Sequence, residues 1–100
     1  PAPLFVRGGA NVLPWRRDGK EFVLLGLANL SADNLSRAEL VLGGVPIEAK
    51  SWQPMRLGRD GQTETVAQAD VRWVGEKLEV ICELDLQYME MAVLLLQPKL

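Results

Sequence analysis

Lys20-Glu21-Phe22-Val23-Leu24-Leu25-Gly26-Leu27-Ala28-Asn29-Leu30 is the stretch that decides the fold. Side chains alternate across a strand, so Phe22, Leu24, Gly26, Ala28 and Leu30 share one face and Val23, Leu25 and Leu27 the other. Both faces are apolar. That predicts a long central strand, covered on both sides for part of its length. Gly26 within it marks a bulge or a close approach of another group. Asp18-Gly19 before the stretch reads as a hairpin turn, because glycine tolerates the positive φ such a turn demands. Ser31 to Ser36 after it is polar, with Asp33-Asn34 at its middle, and reads as a turn.

The same pattern repeats outward from this strand. Short apolar stretches are broken by Gly, Pro, Asn and Asp roughly every ten residues, which predicts an all-β domain. Leu4-Phe5-Val6 and Val12 to Arg17 precede the central strand, and Pro14 assigns the second to a sheet edge or a bulge. Arg37 to Leu42 alternates well and ends at Gly43-Gly44. Val45 to Trp52 reads as a strand weakened by Pro46. Met55 to Gln62 holds a second turn, Arg59-Asp60-Gly61, and Thr63 to Ala67 is a short strand. Val71 to Val74 leads through Gly75-Glu76 into Lys77 to Leu84, a cleanly alternating, half-buried strand. Asp85 to Glu90 is a linker, and Met91 to Gln97 is the last buried strand, stopped by Pro98. No segment of helical length keeps a 3.6-residue apolar period free of breakers. Seven to nine strands in a chain of 100 residues fit an antiparallel two-sheet sandwich of immunoglobulin-like, Greek-key type. The whole chain, 1–100, reads as one domain. Because it starts with Pro1 and not methionine, it is read as a piece of a longer chain.

Composition narrows the function classes. Eleven basic and 13 acidic residues are interleaved, so no basic patch offers itself to nucleic acid or to an anionic membrane. The longest apolar run, Met91 to Leu96, is far short of the ~20 residues that span a bilayer as a helix. Cys82, the single cysteine, is in phase with Leu78, Val80 and Leu84 and reads as a small core hydrophobe.

Catalytic inventories are equally thin. The chain has no histidine, so triad hydrolysis lacks its usual base and zinc its usual ligands. Phosphate-cradling glycine loops and Asp-rich calcium loops are absent. Glu79 and Glu83 point the same way on one strand, but pleat geometry separates them by roughly 13 Å, too far for glycoside chemistry. They read as a solvated strand face. The expectation is a domain that is not an enzyme and needs no cofactor or metal. Asn29-Leu30-Ser31 and Asn34-Leu35-Ser36 match the glycosylation pattern; a strand end and turn hydrogen bonds are the preferred reading. Trp15, Trp52 and Trp73 are the candidate binding residues. Tryptophans of this kind stack on sugars when paired on one face, or else fill the sandwich ends or meet a neighbouring domain. Trp15, beside Pro14 on an edge strand, is the best candidate for an exposed contact.

Val12-Leu13-Pro14-Trp15, the Arg17-Asp18-Gly19 turn, Leu24 to Asp33, and the Leu84-to-Leu96 ending resemble the C-terminal β-sandwich domains that follow the catalytic domain in bacterial glycoside hydrolase-like proteins. The resemblance implies a non-catalytic accessory domain packed against a catalytic domain of the same chain. Two other expectations stand beside it. A carbohydrate-binding module expects two tryptophans side by side. A protein-interaction or adhesion module expects a long unprotected sheet edge, which Pro14 and Pro46 argue against.

Overall fold

A computed structural model describes residues 4–7, 11–45, 52–66 and 68–98, with Phe5 described by its backbone alone. Among these residues there are nine strands and no helix: β1 (Leu4–Arg7), β2 (Val12–Asp18), β3 (Val23–Asn29), β4 (Leu35–Leu42), β5 (Trp52–Leu57), β6 (Thr63–Thr65), β7 (Asp70–Val74), β8 (Lys77–Leu86) and β9 (Met91–Pro98). They form two antiparallel sheets, a four-stranded one in the order β1-β4-β8-β7 and a five-stranded one in the order β2-β3-β9-β5-β6. Consecutive strands pair as hairpins at β2–β3, β5–β6 and β7–β8, and the remaining connections cross between sheets. The result is the expected all-β sandwich.

The core is the layer between the sheets. Val23, Leu25 and Leu27 from β3 and Ala92, Leu94 and Leu96 from β9 meet Ala38, Leu40 and Leu42 from β4 and Leu78, Val80, Cys82, Leu84 and Leu86 from β8. All are buried. Aliphatic side chains on one face of every central strand supply this layer, and removing them from water is the main favourable term.

Polar side chains reach from the five-stranded sheet into the other and fix their offset. Asn29, fully buried at the end of β3, donates through Nδ2 to the carbonyls of Leu86 and Asp33, both at 2.9 Å, while its Oδ1 accepts the Ser31 N–H at 3.0 Å. Its backbone pairs with Glu90 and Met89 of the β8–β9 turn. Arg16 turns inward from β2, holding the Gly43 carbonyl at 2.6 Å and both carboxylate oxygens of Asp18. Arg56 turns inward from β5 and donates to the Leu84 carbonyl at 3.1 Å.

Several expectations change. The central strand is seven residues, not eleven, and the longest is β8 with ten. Gly26 is not a bulge: pairing runs unbroken on both sides of it. The bulge lies on β8, where the register against β4 slips beside Asp85, whose φ is 55° and whose carboxylate accepts Asn34 Nδ2 at 2.7 Å. Asp18-Gly19 does open the β2–β3 hairpin, but not through a positive φ: residues 19–22 form the loop, closed by the Gly19 N–H on the Phe22 carbonyl, and Gly19 keeps a negative φ. It is glycine because a Cβ there would run into the Phe22 ring. Arg59-Asp60-Gly61 is a turn as expected, with Gly61 at φ 79°. Pro54, buried in β5, hid that strand from sequence reading. Pro46 and most of the strand expected around it lie outside the described residues.

Asn29→Ala should lower the unfolding free energy by about 2–4 kcal/mol, since each buried group left without its partner costs roughly 1–3 kcal/mol. Chemical denaturation measures it. A loss under half a kilocalorie would mean that water replaces the amide freely.

Candidate functional site: the outer face of the five-stranded sheet

The two outer faces of the sandwich differ in chemistry. On the four-stranded sheet, Arg7, Arg37, Glu39, Asp70, Arg72, Glu79 and Glu83 face outward around Val41 and Ile81, with Val74 at the end of β7. Glu79 lies between Arg7 at 2.9 Å and Arg72 at 3.5 Å, and Arg37 meets Glu39 at 3.6 Å. Glu79 and Glu83 do share a face, but Glu79 is not a solvated residue. Its side chain is only 6% exposed, because two guanidinium groups cover it. Charge pairs run across this face beside the buried Val41 and the half-buried Ile81.

The five-stranded sheet is the more apolar of the two. Register places its outward side chains in rows across the strands. One row is Leu13, Ala28 and Met91. The next is Trp15, Gly26, Val93 and Leu57, ending at Thr63. A third is Leu24, Leu95 and Met55, flanked by Arg17 and Thr65. Gln53 and Gln97 pair in the row beyond. The centre of the face is therefore apolar over four strands, and its rim is Arg17, Thr63, Thr65, Gln53 and Gln97. Leu13 is 57% and Met91 56% exposed. An apolar centre within a polar rim is the anatomy of an interaction surface.

Trp15 belongs to this face. It sits opposite Gly26 on the neighbouring strand, and a Cβ at residue 26 would fall inside the indole. The ring lies over the backbone that glycine leaves bare, which fixes it while it remains 40% exposed. The signal was present in the sequence as Gly26 and Trp15; their cross-strand pairing became visible only with register.

The other two tryptophans lie elsewhere. Trp52 is buried on the inner side of β5, so it is a core residue and not a surface contact; its indole N–H meets no acceptor among the described residues. Trp73 is 38% exposed on β7, the edge of the four-stranded sheet that lies over β5. Trp15 is on β2, at the opposite side, where β1 and β2 meet. The three are not brought together. Asn29, buried and fully engaged, is no glycosylation acceptor in the folded chain.

Among the described residues no group of histidine, cysteine, aspartate and glutamate could hold a metal ion. Cys82 is fully buried, and that burial pushes its thiol up to about 11, with the Arg56 charge pulling weakly the other way. A thiol so placed is protonated and unreactive. Comparison with protein-family models, curated proteins and solved structures finds no match for the chain.

Two outcomes follow from this geometry. Gly26→Ala should destabilise the domain by about 1–3 kcal/mol through overpacking against Trp15. In a Trp15→Ala background the same change should be nearly neutral, so the double-mutant cycle reports strong coupling; additive effects would place the ring elsewhere. For Cys82, the unfolded thiol ionises near 9 and the folded one near 11. The stability it contributes is complete below pH 9 and is lost as pH rises toward 11, by about 2–3 kcal/mol. The stability gap between wild type and Cys82→Ala should narrow over that window, and a constant gap would rule out a buried protonated thiol.

Proposed function

We propose that this domain is a non-catalytic accessory module of a bacterial carbohydrate-active enzyme, docked on the catalytic domain of the same chain through the outer face of its five-stranded sheet. The observation that carries the docking is the apolar face around Trp15, Val93 and Leu95 with its polar rim. The identity of the neighbour rests on the resemblance of residues 12–33 and 84–96 to the accessory domains of glycoside hydrolase-like proteins.

Size favours a tethered neighbour over a free partner. Four to five strands spaced ~4.8 Å apart and three rows of side chains cover on the order of 400–500 Å². Counting both surfaces, that falls within the roughly 600–1,500 Å² of interfaces between domains of one chain. It is below the roughly 1,200–2,000 Å² of stable complexes between separate proteins. A covalent link supplies the effective concentration that such a face needs.

The rival readings gain less. Sugar binding calls for paired tryptophans, and Trp15 and Trp73 occupy opposite sides of the sandwich. Edge pairing calls for a long open strand. The edges are β1 and β6, which are four and three residues long, β2, which carries Pro14, and the five-residue β7 with its Asp70 and Arg72.

The hydrophobic dye anilinonaphthalene sulfonate should bind the native 100-residue chain, and Val93→Lys should abolish that binding while leaving the fold intact. In the protein expressed from the complete gene, the wild type should show one thermal transition and no dye binding, and Val93→Lys should split the transition. A gene encoding little beyond these residues, or a longer protein in which Val93→Lys changes nothing, would overturn the reading.

A further inference from the structure

One charge stands alone on the outer face of the five-stranded sheet. Arg17 is exposed on β2, and its cross-strand neighbour on that face is Leu24. The other side chains in the outward rows of β2, β3, β9, β5 and β6 are apolar, hydroxyl or amide groups, and none is acidic.

The four-stranded sheet supplies a comparison within the same molecule. Arg7 and Arg72 meet Glu79, and Arg37 meets Glu39. Each arginine that a described strand turns outward therefore has a carboxylate, except Arg17. Two acids lie near it in the chain. Asp18 is occupied, because the inward-turned Arg16 holds both its carboxylate oxygens. Glu21, in the loop beyond, forms no ion pair with Arg17 or with any other described residue.

The surroundings of Arg17 are those of a contact residue. Trp15 lies two positions back on the same face, fixed over Gly26, and the Phe22 ring covers Gly19 two positions on. A partner laid over this face removes water from the guanidinium. A cation stripped of water without a counter-charge is costly, whereas a carboxylate placed there gains a charge-assisted hydrogen bond in a drier setting. A second copy of the chain does not supply that carboxylate. A two-fold stack sets the same surface against itself, and this surface has no acid in its rows.

We propose that the neighbouring domain docked on this face presents an aspartate or glutamate to Arg17, set among apolar groups that meet Trp15 and Leu24. The proposal rests on the docking reading and names what the partner places on the β2 side. Apolar contact is non-directional, so this charge pair fixes which way round the partner sits.

The test uses the protein expressed from the complete gene and reads the temperature at which anilinonaphthalene sulfonate first binds. Arg17→Gln should lower that temperature by roughly 2–8 °C, the worth of one ion pair in a domain of this size. Arg17→Glu should lower it further, and Arg17→Lys should stay near the wild type. Salt at about 1 M, which screens charges beyond ~3 Å, should bring the wild type down toward Arg17→Gln and raise Arg17→Glu. In the 100-residue chain alone, none of these substitutions should shift the thermal transition. Equal temperatures for wild type and Arg17→Glu, a loss on Arg17→Gln that salt leaves unchanged, or the same losses in the 100-residue chain would overturn the proposal. So would a dimer of the 100-residue chain that Val93→Lys dissociates, because a second copy would then occupy the face. If Val93→Lys splits the transition of the complete protein while the Arg17 substitutions change nothing, the docking face survives without the charge pair; if Val93→Lys changes nothing either, both readings fall.

Discussion

The apolar layer between the two sheets is the constraint from which the rest of the domain follows. β3 and β9 bring Leu25, Leu27, Leu94 and Leu96 to it, and β4 and β8 bring Leu40, Leu42, Leu78 and Val80. Burying that layer uses one face of each sheet. On its other face the four-stranded sheet packs Arg7, Arg72 and Glu79 together beside Val41 and Ile81. The five-stranded sheet has an apolar second face as well, and within the domain its bare centre at Gly26 is covered by Trp15.

Polar groups set how the layers sit on each other, because apolar contact is non-directional and leaves the offset free. Asn29, Arg16 and Arg56 each leave the five-stranded sheet and satisfy carbonyls of the other sheet or of the connections that cross between sheets. The Leu84 carbonyl lies beside the β8 bulge, where ladder pairing is interrupted, and Arg56 supplies the donor. Inward-pointing charge on β2 also protects an edge strand, as Pro14 does by withholding a donor. Both devices make the β2 edge a poor template for strand addition.

Much of the fold was legible residue by residue. Alternation located β4 and β8, a continuous apolar run ending at Pro98 located β9, and the two-sided apolarity of residues 22–30 identified a central strand of the sheet. Cys82 followed from its phase with Leu78, Val80 and Leu84. The site was less legible. Tryptophan count singled out Trp15, Trp52 and Trp73 together, yet Trp52 is core and Trp73 lies at the far edge, since count carries no information on which side of a strand a ring points once a proline such as Pro54 obscures the strand. Glu79 read as solvated because Arg7 comes from β1, distant in the chain, and Arg72 faces it only through the β7–β8 register.

By itself the sequence determined the all-β class, the approximate strand number and the inner face of most strands, because these depend on a period of two and on local breakers. It also excluded the histidine-dependent chemistries through composition. Strand order, the bulge at Asp85, the inward turn of Arg16 and Arg56 and the stacking of Trp15 on Gly26 were decided only by the tertiary structure. So was the apolar outer face, since its rows draw one residue each from strands up to about eighty positions apart, as Leu13 and Met91 are. Periodicity describes a strand's two sides; only pairing decides which sides of different strands become one surface.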